Sequence, residues 1–315
     1  MMARRYVVTG RGGQVAQSLI ERAERHGEIE IIPLARPNLD LADIGTIEKA
    51  LIGARPELII SAAAYTAVDQ AESDVAKAFL VNSAAIDEIG RVATKLNVPI
   101  IHLSTDYVFD GSKTSPYHES DPVAPLSVYG QSKLEGERRL ISSGADYVIL
   151  RTAWVYSPFN KNFLRTMLQL AGSHDELNVV ADQYGNPTSA LDIADAILTV
   201  ADNLLSSRDG RLRGIFHIAG SGEASWADFA SEIFRISVEM GGPSAMVRPI
   251  PTAQYPTPAR RPNNSRLDCS KLERVHGVRL PNWKIATATT LQRLLAGDAP
   301  EKQAGMEKAS EENCR

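Results

Sequence analysis

The sequence predicts an α/β fold, a doubly wound parallel sheet with a smaller C-terminal domain. Three observations carry that prediction. Short β-rich runs alternate with helical stretches from Tyr6 to Leu150. A glycine-rich turn joins the first run to the first helix. Beyond Ser157 the alternation breaks into helices, short strands and proline-rich loops. At about 150 residues per domain, a chain of 315 residues suits two domains.

Each element has its own signal. Tyr6 to Val8 is the first strand, and Val15, Leu19 and Ala23 fall at helical spacing after it. The Ile-rich run from Glu28 to Leu34 is the second strand, and Ile44, Ile47 and Leu51 mark a short helix. The run from Glu57 to Ala62 is a buried strand. Ala76, Phe79, Leu80, Ile86, Ile89, Val92 and Leu96 form the apolar face of one long helix. A strand from Pro99 to Leu103, a helix from Val128 to Leu140 and a strand from Tyr147 to Leu150 complete the alternation. Further on, helices are expected over Phe163 to Ala171, Ala190 to Leu205 and Ser225 to Met240, with strands at Val179-Val180 and Gly214 to Ile218. Ser225-x-x-Asp228 opens the last helix as a capping box. The dense prolines from Pro243 to Pro262 predict an ordered irregular segment.

Composition excludes several function classes. Apolar residues at 43% and charged residues at 23% rule out a disordered, collagen-like or coiled-coil chain. A formal net charge of −4 shows no basic footprint for nucleic acid. No apolar run reaches the roughly 18 residues of a membrane span, and the N-terminal apolar stretch is too short for a signal peptide. With two cysteines, Cys269 and Cys314, neither a disulfide framework nor a cysteine-rich metal site is expected, and the cytoplasm is the expected compartment.

Gly10-Arg11-Gly12-Gly13-Gln14-Val15-Ala16 follows the first strand. Small residues three apart let the chain turn tightly, approach a pyrophosphate and pack the helix close to the sheet, as in a Rossmann unit. The helix N-terminus then offers N–H groups and a positive dipole end. Residues 1–156 with 189–218 are therefore expected to form a dinucleotide-binding domain, 157–188 with 219–296 a substrate domain, and 297–315 a mobile tail. Arg36 stands after the second strand where an acid would favour NAD, and Arg11 lies in the turn; both favour the 2′-phosphate of NADPH, with NADH possible. Asp40 and Asp43 are read either as neighbours of the adenine or as helix caps; Leu41 is expected with Asp40 at the cofactor.

Tyr129-Gly130-Gln131-Ser132-Lys133 places a phenol and an amine one helical turn apart on one face. An ordinary phenol, with a pKa of about 10, exchanges its proton poorly near neutrality. The nearby ammonium is expected to lower it. Thr105, at a predicted strand end 24 residues upstream, offers a hydroxyl to a substrate carbonyl.

On these residues the chain resembles the extended short-chain dehydrogenase/reductases, and more narrowly the dTDP-4-dehydrorhamnose reductases. The narrower likeness rests on STDYVFDG at 104–111, DQYGNPTS at 182–189 and PTPARRPNNSRLD at 256–268. It implies NADPH-dependent reduction of a C4 ketone in dTDP-rhamnose synthesis for cell-surface polysaccharide. It implies Tyr129 as proton donor, Lys133 at the nicotinamide ribose, and Thr105 at the ketone. It further implies Gly10, Gly13, Gln14, Val15, Ala64, Tyr65 and Thr66 along the cofactor, and Asp106, Trp154, Arg260 and Arg261 toward the nucleotide sugar. The aromatic Trp154 reads equally as a core residue. Some relatives bridge two subunits through Mg²⁺; Ser18 stands here in place of one acidic ligand, so no metal is expected, and the chain is taken as a monomer or homodimer. A 4-epimerase or a cofactor-binding regulatory subunit are the alternatives; intact Thr105, Tyr129 and Lys133 favour the reductase.

Overall fold

The computed structural model describes residues 3–297. The expected tail from 297 onward lies almost wholly outside them. Six parallel strands form the central sheet: β1 (Arg4–Thr9), β2 (Ile29–Leu34), β3 (Leu58–Ser61), β4 (Ile100–Thr105), β5 (Tyr147–Thr152) and β6 (Gly214–Ile218). Their spatial order is β2-β1-β3-β4-β5-β6. The order reverses at β1, so a crevice opens at the carboxyl ends of β1 and β3, where open α/β sheets bind ligands.

Helices cover both faces. On one side α1 (Gln14–Ala23) and α6 (Ala190–Ser206) pack Leu19, Ile193 and Ile197 onto Val8, Ile60 and Leu150. On the other, α2 (Ile47–Ala54), α3 (Ala85–Leu96) and α4 (Val128–Ser142) bury Leu51, Ile86, Ile89 and Leu140 against Val7, Ile59 and Ile149. Burying such side chains contributes roughly 1.5–3 kcal/mol each.

Outside the sheet, α5 (Phe163–Ala171), α7 (Trp226–Glu239) and α9 (Trp283–Gly297) gather around Phe229, Ile233 and Trp283. A short helix, α8 (Ser270–His276), precedes α9. Three two-stranded ribbons tie these segments together; in one, Glu176–Val180 pairs with Met246–Ile250. The Ser225–Asp228 capping box is present.

Two expectations need correction, and two helices had no reading in the sequence. The long helix is not continuous α: Val75–Phe79 and α3 are joined by a π-helical turn, Leu80–Ala84. The irregular segment after Pro243 contains the strand Met246–Ile250; its Pro249 is tolerated because the ribbon is all edge. Helices α8 and α9 have no clear apolar stripe in the sequence. In α9 the buried face includes Thr287 and Thr290, whose hydroxyls donate to the carbonyls of Trp283 and Ala286 at 2.7 and 2.9 Å. A buried face built on threonine hides from a hydrophobic pattern.

Candidate active site

Four strand ends border the crevice. At the end of β1, Gly10 adopts φ 89° and lies so close to Ala63 that a Cβ would meet that side chain at 3.3 Å. Thr9 Oγ1 accepts from the Ala62 and Ala63 N–H groups, both at 3.0 Å, fixing the loop after β3 to the turn. Gly12 and Gly13 face open space: a Cβ on either would meet nothing within 4 Å. Helix α1 starts with no side-chain cap and no acid in its first turn. An uncapped helix start beside an open glycine turn fits a pyrophosphate.

The sequence-predicted cofactor residues divide. Gln14 has its side chain committed elsewhere: Ser157 Oγ and Asn162 Nδ2 donate to Oε1 at 2.8 and 3.1 Å. It anchors the loop after β5 and leaves only its backbone to a phosphate. Val15 and Leu41 are buried, in the cores on the two sides of the sheet. Arg11 and Arg36 are exposed. Asp40 Oδ1 accepts from Ala42 N at 2.9 Å, and Asp43 caps the 3-10 turn Ile44–Thr46 through Gly45 N. Of the two readings of Asp43, the helix cap describes the structure. After β3, Ala64 and Tyr65 are partly buried and Thr66 is exposed.

Tyr65 is held by Asn82, which the sequence reading missed. Asn82 is fully buried in the π-helical turn. Its Oδ1 accepts from Tyr65 N at 2.8 Å, while Nδ2 donates to Tyr65 O and to Ser132 Oγ, both at 3.0 Å. The extra residue of the turn aims this amide, and π-bulges of this kind gather at functional sites. Asn82 therefore links the cofactor loop to α4.

Helix α4 is seated by its own sequence. Ser127 caps it through Gly130 N at 3.2 Å, and Glu72 Oε1 accepts from Val128 N at 2.9 Å. Gly130 is required because a Cβ there would collide with the Tyr107 carbonyl oxygen, and at Gly136 with that of Asn82. Tyr107 in turn packs edge-on to Tyr129, ring centroids 6.0 Å apart.

Lys133 is buried, with Nζ donating to Leu103 O at 2.7 Å and lying 3.3 Å from His102 Nε2. Burial pulls its ammonium down to about 8, partly opposed by Glu137 one turn on. The expected lowering of Tyr129 is not found in this state. Burial pushes the phenol up to about 12, Thr105 opposes the rise, and Asp106 adds to it. Burial outweighs the Thr105 hydrogen bond, while the Lys133 ammonium is hydrogen-bonded to Leu103 O.

Thr105, also buried, donates to Asp106 Oδ1 at 3.0 Å and accepts from Tyr107 N at 3.1 Å. Asp106 Oδ2 is buried with no partner among the described residues. Burial raises this carboxyl to about 7, with Ser265 and Thr105 opposing. Beneath α4 the Glu137 carboxylate is held on both oxygens: Arg151 donates to it at 2.9 and 2.6 Å, and Ser104 donates to it at 2.5 Å.

The other substrate residues are less free than the sequence suggested. Trp154 stacks on Trp226, centroids 3.5 Å apart, and abuts Gly185, which describes a packed aromatic. It nevertheless sits at φ 47°, a conformation that costs about 1 kcal/mol or more and gathers at functional sites. Arg261 donates to both carboxylate oxygens of Asp69, at 3.2 and 2.8 Å. Arg260 is exposed. Ser18 is buried and donates to Gln14 O at 2.8 Å, and Asp195 faces Arg22 at 3.2 Å.

The RmlD substrate binding domain model matches residues 4–296. The chain belongs to that family. It is 53% identical over 291 residues to a dTDP-4-dehydrorhamnose reductase of Sinorhizobium fredii, covering 92% of this chain and 98% of that one. A solved dTDP-4-dehydrorhamnose reductase from Clostridium acetobutylicum superposes with a TM-score of 0.85 at 35% identity, covering 92% and 99% of the two chains. One from Bacillus anthracis, solved in complex with NADP, gives 0.85 at 31% identity, covering 93% and 100%. Among the described residues no helix is long and apolar enough to cross a membrane.

Proposed function

We propose that the protein is an NADPH-dependent reductase that converts dTDP-4-dehydro-β-L-rhamnose to dTDP-L-rhamnose. One observation carries this reading. Tyr129, Thr105 and the unpartnered Oδ2 of Asp106 gather at the end of β4, at the same end of the parallel sheet as an open, uncapped glycine turn. The relatives named above supply the substrate class.

When bound, NADPH supplies a hydride to C4 of the ketosugar. The ketone oxygen takes the Tyr129 proton, so C=O becomes CH–OH. A phenol pushed up to about 12 stays protonated at neutral pH, as a donor must. Lys133, charged and held on β4, eases the negative charge left on the phenolate. Thr105 turns its hydroxyl from Asp106 to the ketone, and Asp106 Oδ2 accepts from a sugar hydroxyl. Strained Trp154 borders the deoxysugar, and Arg260 meets the diphosphate. Gly10, Gly13 and the backbone of Gln14 and Val15 hold the pyrophosphate, Ala64 to Thr66 flank the cofactor, and Arg11 and Arg36 meet its 2′-phosphate. Residues 1–156 with 189–218 serve the dinucleotide, and 157–188 with 219–296 serve the sugar.

The test is an NADPH-oxidation assay with the purified chain and the ketosugar. Equal moles of NADPH consumed and dTDP-L-rhamnose formed are expected. A C4 epimer with no net NADPH loss means an epimerase. No turnover without an added protein means a regulatory subunit.

A further inference from the structure

His102 is fully buried on β4, three residues before Thr105. Such a histidine in a core is usually only packed. Here both ring nitrogens are used. Nε2 lies 3.3 Å from Lys133 Nζ, and Nδ1 lies 3.0 Å from Ser61 Oγ at the end of β3. An ammonium can only donate, so Nε2 must accept, and the ring hydrogen sits on Nδ1 and goes to Ser61. The tautomer is therefore fixed by its two neighbours. A charged imidazolium would face the ammonium without an acceptor, and burial together with Lys133 keeps the ring neutral.

We propose that His102, oriented by Ser61, is a positioning residue that holds the Lys133 ammonium on β4. This rests on the reductase reading, in which Lys133 supports Tyr129. Two of the three ammonium hydrogens are spent on β4, one on Leu103 O and one on His102. That fixes where the nitrogen sits and leaves the third hydrogen for a ligand group. Without an acceptor at Nε2, a buried ammonium loses a hydrogen bond and swings or gives up its proton. The groups facing Lys133 are His102 from β4 and Glu137 from its own helix, with Arg151 of β5 reaching it through Glu137; Tyr129 lies one turn back on the same helix. Asp106 faces Tyr129 from the turn after β4.

The experiment compares wild type, His102→Leu and His102→Gln in steady-state turnover across pH, with NADPH affinity measured by fluorescence. Leucine fills the space and accepts nothing; the glutamine carbonyl can accept from Lys133. His102→Leu should lower kcat about 30-fold, with KM for the ketosugar changed less than about 3-fold. Its alkaline fall in kcat should begin about one pH unit lower. His102→Gln should lie within about 5-fold of wild type with the profile in place. Equal losses in both variants with an unmoved profile, or no loss in His102→Leu, overturn the proposal. If His102→Leu does not fold, Ser61→Ala carries the test, with a smaller downward shift expected and an unmoved profile contradicting it. If wild type itself consumes no NADPH, the reductase reading fails separately. The positioning role is then read from NADPH affinity: about 10-fold weaker binding in the leucine variant alone supports it, and equal affinity in all three overturns it.

Discussion

The two sides of the crevice are prepared in opposite ways. At the glycine turn the protein leaves groups unused: an uncapped helix start, exposed arginines 11 and 36, and empty space beside Gly12 and Gly13. Around α4 almost every polar group is buried and paired, as in Asn82 with Tyr65 and Ser132, Lys133 with β4, and Glu137 with Arg151. The ligand chemistry explains the contrast. A dinucleotide brings its own charge and acceptors, so its site must keep donors free. A proton donor works in a dry site, where supporting charges must be fixed before the substrate arrives. Asp106 Oδ2 is one of the few buried atoms there without a partner among the described residues, and under the proposed reading it is where the substrate would complete the network.

The largest effect should separate the two sides outright. Tyr129→Phe should cut kcat about 1,000-fold, roughly 4 kcal/mol, while NADPH affinity stays within about 3-fold. A matching loss of NADPH binding would show the two sides to be one.

Two glycine substitutions sharpen the comparison next. Gly13→Asp puts a carboxylate where nothing stands, so NADPH affinity should fall about 100-fold, near 2.7 kcal/mol, with an unchanged melting temperature. Gly130→Ala drives a methyl into the Tyr107 carbonyl and should destabilise the fold by about 2 kcal/mol in urea melts. Equal stability losses in both would remove the distinction.

Asp106 gives the pH test. Its folded-state pKa of about 7 lies above the unfolded carboxylate value of 3.8. Between those values the folded chain holds a proton that the unfolded chain has released. Stability therefore falls as pH rises through that window, and the penalty is complete above about 7. Asp106→Asn should be more stable than wild type by about 2 kcal/mol or more at pH 8, with the gain gone near pH 4. A gain independent of pH would point to packing instead. The smallest effect is expected at the adenosine end. Arg36→Gln should weaken NADPH about 10-fold and leave NADH unchanged.

The open side was largely legible in the sequence. Glycine spacing after a strand states a backbone requirement that few other arrangements meet, and Tyr129 and Lys133 announce themselves by helical spacing. On the buried side those two residues and Thr105, at a strand end, could be picked out, but not the groups that hold them. Asn82 reads as an ordinary polar residue on a helix; only the π-turn shows that it faces inward. His102 sits in an apolar strand run, where a satisfied core histidine is the usual case. Glu137 and Arg151 are 14 residues apart, on α4 and β5, and meet only because that helix packs on the sheet. The Arg261–Asp69 pair was invisible in the sequence because its partners lie 192 residues apart. Non-local pairing leaves no local signal.

The most direct test follows the hydride itself. The wild-type chain is given NADPH carrying deuterium at the transferable position, together with dTDP-4-dehydro-β-L-rhamnose, and the product is read by NMR. One deuterium at C4 of dTDP-L-rhamnose is predicted. An unlabelled C4, or deuterium on any other sugar carbon, contradicts the account.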